Sequence, residues 1–116
     1  MSLATGGKNA AVAGVAGVAL YLSIHSADPG GTGASELTGG SPAYARKSAS
    51  WGSPSGGAVA ASSVTFDIPA GSTAAYFGMW SAVTAGTFEG GGALSASEVY
   101  GAQGTYVLSS TTLTAT

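Results

Sequence analysis

The residues best suited to chemistry are His25 and Asp28, which lie three positions apart in the stretch YLSIHSADPGG. A hydrolytic triad needs a nucleophile, a base within hydrogen-bond reach of it and a group that orients the base. Serines are plentiful, but none lies in a Gly-x-Ser-x-Gly elbow. Asp-Pro-Gly-Gly is also what a turn requires: an Asx acceptor, a fixed φ and permissive glycines. We therefore interpret His25 as the end of a strand and Asp28 as the start of a turn.

Other catalytic and ligand-binding motifs are weaker. A glycosidase needs only two carboxylates at the right separation, but it also needs a large cleft, and this chain has few large hydrophobic residues to build one. One histidine, no cysteine and no Asp-x-Asp cluster argue against a metal site, and the glycine-rich stretches lack phosphate-binding motifs. We predict no enzyme, no cofactor and no metal. The carboxylates considered are Asp28, Glu36, Asp67, Glu89 and Glu98.

Four aromatic residues are candidates for contacts with a partner. Their rings could form a platform on which sugar rings stack, which would make the chain a carbohydrate-binding module for host cell-wall glycans. Aromatic residues in alternating strands more often belong to the core or to a subunit interface, and we favour that interpretation. The four are Tyr44, Trp51, Tyr76 and Trp80.

The composition favours a protein that contacts other protein chains. Charged residues make up 7% of the chain, against about a quarter in an ordinary globular domain. A neutral monomer covered by serine, threonine and glycine is the alternative. With three basic residues the chain has no electrostatic footprint for nucleic acid. The apolar run at 10–24 is short for a membrane span of about 20 residues, so we interpret it as part of the fold.

The alternation of large and small side chains predicts the strands. Residues 18–25 predict a strand with one apolar face, 43–51 a partly buried strand and 58–62 an edge strand. Residues 64–68 and 74–82 flank a short loop and predict a β-hairpin. The returning strand carries large side chains on both faces, which predicts a central position in its sheet.

These elements predict a single all-β domain over residues 1–116. Seven or eight short strands at this spacing are typical of a sandwich of jelly-roll or immunoglobulin-like type. The glycine triplet within residues 86–96 suits a bulge or a bend. The alanine-rich residues 5–16 predict a short N-terminal helix that ends near Gly14 or Gly17.

Five segments together resemble a family of small virion structural proteins of tailed bacteriophages, of the tail fibre or minor tail type, frequent in phages of actinobacteria. They are His-Ser-Ala-Asp-Pro-Gly at 25–30, Tyr-Ala-Arg-Lys at 44–47, Phe-Asp-Ile-Pro-Ala-Gly at 66–71, Phe-Gly-Met-Trp-Ser at 77–81 and Gly-Gly-Gly-Ala-Leu at 90–94. The combined order of the segments, which span roughly residues 6–108, carries the resemblance.

The resemblance implies a non-enzymatic component of the outer surface of the virion. Its partners would be other virion proteins, either of the tail or the major capsid protein. Capsid decoration is the alternative role, because small β-proteins also stud phage heads. Symmetric assembly is expected, and a trimer is our expectation for a fibre.

Overall fold

The computed structural model describes residues 3–115, which form one helix and eight strands. The helix α1 is followed by strands that vary from two to thirteen residues in length. The elements are α1 (Thr5–Ala16), β1 (Tyr21–His25), β2 (Lys47–Ser48), β3 (Ala58–Ala61), β4 (Val64–Ile68), β5 (Ser72–Trp80), β6 (Phe88–Tyr100), β7 (Gly104–Leu108) and β8 (Thr111–Thr114).

The strands form three antiparallel sheets. A four-stranded sheet has the order β2-β1-β5-β6, and β3-β8 and β4-β7 form two-stranded sheets. The predicted all-β, sandwich-like fold with a short N-terminal helix is confirmed. The choice between a jelly-roll and an immunoglobulin-like topology stays a prediction, as does the single-domain assignment of the chain.

The helix ends where the sequence indicates. Gly17 caps it and donates its backbone N–H to the carbonyl of Ala13 at 3.0 Å. Only Val12 of the helix is buried, so packing contributes little to its stability, and its interior glycine lowers its intrinsic helix propensity.

We expect Gly14→Ala to stabilise the protein by about 0.5–1 kcal/mol, because alanine loses less backbone entropy than glycine in a helix. No atom lies within 4 Å of the Cβ that the substitution adds. Gly71→Ala is the matched control: its Cβ also meets open space, but its φ is +79°, so alanine should destabilise there. Urea unfolding measures both, and a loss of stability in Gly14→Ala would contradict the prediction.

The first strand is shorter than predicted. Val18 and Leu20 lie outside β1 and are 48% and 47% exposed. The reason is that the turn after the helix persists: Val18 and Ala19 both donate backbone hydrogen bonds to the carbonyl of Val15. The face opposite the apolar one is not exposed to solvent, since Ser23 and His25 are fully buried.

The segment 43–51 contributes the two-residue strand β2 and two isolated bridges, from Ala43 to Gly40 and from Trp51 to Ala61. The chain just before it folds back on itself, because Tyr44 donates its N–H to the carbonyl of Gly39 at 2.8 Å. Because residues 39–44 form this local turn, the chain pairs with β1 only from residue 47 onwards.

The predicted hairpin of β4 and β5 is wrong. The strand β4 pairs with β7, whereas β5 lies between β1 and β6 in another sheet. Pro69 cannot donate to a ladder, and Gly71, with its positive φ, turns the chain and donates instead to the carbonyl of Tyr100 at 2.6 Å. The short loop is therefore a corner between two sheets. The predicted central position of β5 is confirmed.

The four-stranded sheet is covered on both faces along β1 and the end of β5, whereas most of β6 is exposed. One face packs into the main hydrophobic core, whose buried residues include Leu22, Ile24, Phe66, Ile68 and Met79. The other face carries Ser23, His25 and Trp80, and the loop 26–46 covers it, since His25 contacts the carbonyl of Ala34 and Arg46 lies over the Trp80 ring. The predicted bulge near the glycine triplet is confirmed, because Glu89 is skipped where Met79 pairs with Gly90 and Trp80 with Phe88.

Candidate functional site

The side chains with most chemical potential converge on that second face of the sheet. Register places Ser23 of β1 opposite Gly78 of β5, and the loop 26–46 brings Glu36 and Arg46 over them. We call this group the polar cluster. It consists of Ser23, His25, Glu36, Arg46 and Trp80.

A chain of three hydrogen bonds fixes the orientation of the His25 ring and places a proton on its Nδ1. The Trp80 Nε1–H donates to Ser23 Oγ at 2.9 Å, Ser23 Oγ lies 2.7 Å from His25 Nε2, and His25 Nδ1 lies 2.7 Å from the carbonyl oxygen of Ala34. A carbonyl only accepts, so Nδ1 carries the proton. Burial lowers the pKa of His25 and favours the neutral imidazole, in which Nε2 accepts from the Ser23 hydroxyl.

The Ser23–His25 pair has the spacing of a nucleophile and its base, but it lacks the access to substrate that catalysis requires. Both side chains are 0% exposed, so a substrate would have no access to the hydroxyl. Asp28 does not orient the imidazole: its Oδ1 accepts from the Gly30 N–H at 2.9 Å, as an Asx turn requires. The interpretation of His25 as a strand end and Asp28 as the start of a turn is confirmed.

Burial makes the fold sensitive to acid through His25. Desolvation lowers the pKa of the imidazole from its ordinary value, helped by Arg46 and opposed by the hydrogen bond to Ala34 and by Glu36. In the unfolded chain the imidazole has its ordinary pKa of about 6.5, so near and below this pH it binds protons more readily than in the fold. Its contribution to stability is therefore complete above that pH and is lost as the pH falls.

We expect the free energy of unfolding to fall between pH 7 and pH 5.5 by up to about 1.4 kcal/mol per pH unit. The measurement is urea unfolding at several pH values in this range, which lies above the ordinary titration of the carboxylates. His25→Gln, although less stable, should show a much flatter dependence. Equal slopes for the two proteins would show that His25 is not the titrating group.

The charged half of the polar cluster is a bidentate ion pair. Arg46 donates from Nε to Glu36 Oε2 and from Nη2 to Glu36 Oε1, both at 2.9 Å. The Tyr44 hydroxyl donates to Glu36 Oε2 at 2.9 Å and accepts the Ile24 backbone N–H at 3.0 Å. Burial is the main cause that raises the Tyr44 pKa. The phenol therefore stays a donor to the carboxylate.

The same arginine holds the loop that joins β5 to β6. Its Nη1 donates to the carbonyl oxygens of Ala82 and Ala85 at 2.9 and 2.8 Å. Its Cζ lies 3.6 Å from the ring centroid of Trp80, a cation–π arrangement. Arg46 thus ties two loops and a strand together through one side chain.

Two glycines allow this close packing. A Cβ at Gly78 would lie 2.6 Å from Ser23 Oγ and 2.7 Å from His25 Nε2. A Cβ at Gly33, whose φ is +77°, would clash with the Trp80 ring and lie 2.9 Å from Phe88. The sheet and the loop over it can approach only because both positions lack a side chain.

The structure separates the four aromatic residues predicted to contact a partner. Trp80 is 8% exposed and lies within the polar cluster, and Tyr44 lies beside it. Trp51 is half-buried and donates its Nε1–H to the Ala19 carbonyl at 2.8 Å. Tyr76 is half-buried on β5, opposite His25 and Ala93. Their contact with a partner or a glycan stays a prediction.

Sequence reasoning missed Ser23 and Glu36 as members of the polar cluster. Neither stands in a motif: the first is one serine among many, and the second lies in a loop, ten positions before Arg46. Among residues 3–115, no group of three or more histidine, cysteine or acidic side chains could hold a metal ion. In the same range, no helix has the length and apolar character needed to cross a membrane.

The fold is a small β-sandwich in which the Glu36–Arg46 pair fastens the loops over one face of the main sheet. A family model described as Podophage GP4 fiber I protein gp80 matches residues 7–116, and the chain belongs to this family of bacteriophage fibre proteins. The resemblance to tail fibre proteins of the virion is thereby confirmed. No curated protein and no solved structure matches the chain.

Proposed function

We propose that the chain is a non-catalytic building block of the outer surface of a tailed phage particle, in the tail fibre apparatus. The family match over residues 7–116 carries the proposal. The burial of the Ser23–His25 pair supports a non-catalytic role. The chain holds its place through contacts with other virion proteins, to which its sparsely charged surface is suited.

The proposal includes a homo-oligomer, with a trimer as the expected state. Val99 and Val107 support it, because they are 75% and 56% exposed on strands that carry few charges. Light scattering coupled to size exclusion tests this part, since the monomer mass is 11.0 kDa. A mass three times that value is expected, and a monomer at micromolar concentration would contradict self-assembly.

Immunogold labelling of intact particles tests the location. Gold confined to the tail end is the expected result. Gold spread over the head would instead favour capsid decoration, the alternative role, and would overturn the tail assignment. Unlabelled particles, with the epitope shown to be accessible in the purified protein, would contradict the virion surface location.

A further inference from the structure

The segment 26–35 forms a turn that covers part of the polar cluster, and we call it the lid. Its two ends are joined by a backbone hydrogen bond from the N–H of Ser26 to the carbonyl of Ser35 at 3.0 Å. Within the lid only Pro29 and Gly33 are buried. A segment that buries so little of itself belongs to the parts of a fold that open at low free energy.

Two contacts hold the lid against the sheet. The carbonyl oxygen of Ala34 lies 2.7 Å from Nδ1 of His25. Gly33 packs on the rings of Trp80 and Phe88 so closely that a Cβ there would clash with them. In the part of the chain that the structure describes, the other hydrogen bonds of the lid stay inside it. The imidazole therefore supplies the polar tie between the lid and the sheet.

We propose that the lid opens in response to acid: protonation of His25 at mildly acidic pH releases residues 26–35 from the sheet and uncovers Trp80, while the sheets stay folded. The opening is local, so it is distinct from the loss of global stability that acid also causes. It goes beyond the structural role of the chain and does not depend on where on the particle the chain lies.

The hydrogen-bond chain under the lid accommodates one proton on the ring. In the neutral imidazole, Nδ1–H donates to Ala34 and Nε2 accepts from the Ser23 hydroxyl, which itself accepts from the Trp80 indole. A second proton turns Nε2 into a donor. The Ser23 oxygen then faces two donors, and its own hydrogen loses its acceptor. The imidazolium is also 0% exposed under the closed lid, whereas an open lid lets water hydrate the charge.

The charged groups that face the imidazole lie in the loop that follows the lid, and they act in opposite directions. Burial is the main cause that lowers the pKa of His25; Glu36 opposes the shift and Arg46 adds to it. The other neighbours are aromatic: the Phe88 ring meets the imidazole edge-on at 6.1 Å between centroids, and Tyr76 is its partner on β5. An open lid removes the desolvation, so it binds the proton more tightly than the closed lid does.

The test is the exchange of the Trp80 indole N–H with solvent, followed by NMR in the full chain at pH 7.5 and pH 5.0. Its rate is expressed as protection relative to the intrinsic rate at each pH. Each pH unit below the ordinary pKa of 6.5 raises the ratio of open to closed lid by up to about tenfold. Protection of Trp80 should therefore fall by about five- to thirtyfold. The most protected amides of β4 and β7 report global unfolding and should exceed it in protection at both pH values.

Two variants separate His25 from the other acid-sensitive groups. His25→Gln has no imidazole to protonate, so protection of Trp80, although lower than in the wild type, should change less than about twofold between the two pH values. Asp28→Asn removes the carboxylate of the lid itself but keeps an oxygen that can accept from the Gly30 N–H. It should show the same fall in protection as the wild type.

Three results would overturn the proposal. One is a fall in Trp80 protection of less than about threefold in the wild type. Another is a Trp80 indole as strongly protected as the amides of β4 and β7 at both pH values, which would mean that solvent reaches it only through global unfolding. The third is an equal fall in His25→Gln, which would assign the proton to another group. Because the measurement uses the isolated chain, each of these results leaves the virion location to its own test.

Discussion

Arg46→Ala is expected to lower the free energy of unfolding by about 3 kcal/mol, at the lower end of the range for breaking a buried ion pair. The substitution leaves the Glu36 carboxylate, 18% exposed, without its bidentate partner, and it removes the cation over the Trp80 ring. The carbonyls of Ala82 and Ala85 also lose their donor. Urea unfolding followed by circular dichroism at pH 7.5 measures the loss.

The neighbouring lysine supplies a matched control. Lys47→Ala removes the same charge from the next residue, which is also half-buried, and should cost less than about 1 kcal/mol because no special contact is broken. Arg46→Lys keeps the charge but loses the planar fork, so it should recover only part of the stability. A loss below 1 kcal/mol in Arg46→Ala would show that the ion pair does not hold the loops.

The double substitution Glu36→Gln with Arg46→Met separates the energy of the interaction between the two side chains from the energy that each contributes alone. Removing one partner leaves an uncompensated charge, whereas removing both does not. The double variant should therefore lose less stability than the sum of the single variants. Strict additivity would mean that the two side chains act independently despite their 2.9 Å contacts.

Gly78→Ala is expected to destabilise the protein by about 2–4 kcal/mol, which combines overpacking with the loss of a buried hydrogen bond. The added Cβ would lie 2.6–2.8 Å from Ser23 Oγ, His25 Nε2 and a Phe88 ring carbon. All three neighbours belong to packed side chains and cannot all move away. The hydrogen-bond chain from Trp80 to Ala34 should break, and amide exchange should speed up in the loop 26–37.

Gly101→Ala controls for the loss of a glycine as such. Its Cβ would meet no atom within 4 Å, and its φ is not in the left-handed region, so the change should stay within about 0.5 kcal/mol. Thermal unfolding of both variants against the wild type measures the difference. A Gly78→Ala protein as stable as Gly101→Ala would show that the sheet yields easily at this point.

Local patterns in the sequence predict the elements but not their partners. The large side chains on both faces of β5 indicate a central strand, and Asp-Pro-Gly-Gly indicates the turn at Asp28; both predictions are confirmed. The alternation in β4 shows that it is a strand, but pairing with β5 or with β7 satisfies the same pattern. The short loop between β4 and β5 favours pairing of these two strands, but the corner at Pro69 turns the chain into another sheet, and β4 pairs with β7.

The candidate site is harder to predict for a related reason. Polar residues that alternate with apolar ones indicate a solvent face, so Ser23 and His25 appear exposed in the sequence. The loop that follows β1 covers that face. It supplies Glu36 from a position without a motif, and Arg46 from the Tyr-Ala-Arg-Lys segment, which gives no sign of the partners of the arginine. A buried polar layer of this kind depends on long-range contacts, which periodicity cannot reveal.

The pairing of β3 with β8 has a consequence for how the protein is made. Ala58–Ala61 find their partners only in Thr111–Thr114, and β4 likewise needs Gly104–Leu108. On the ribosome, β3 and β4 therefore emerge before the strands that pair with them, β8 and β7, have been synthesised. Topologies dominated by such distant pairings fold slowly, so most of the assembly of this module should wait until Thr111–Thr114 have been synthesised.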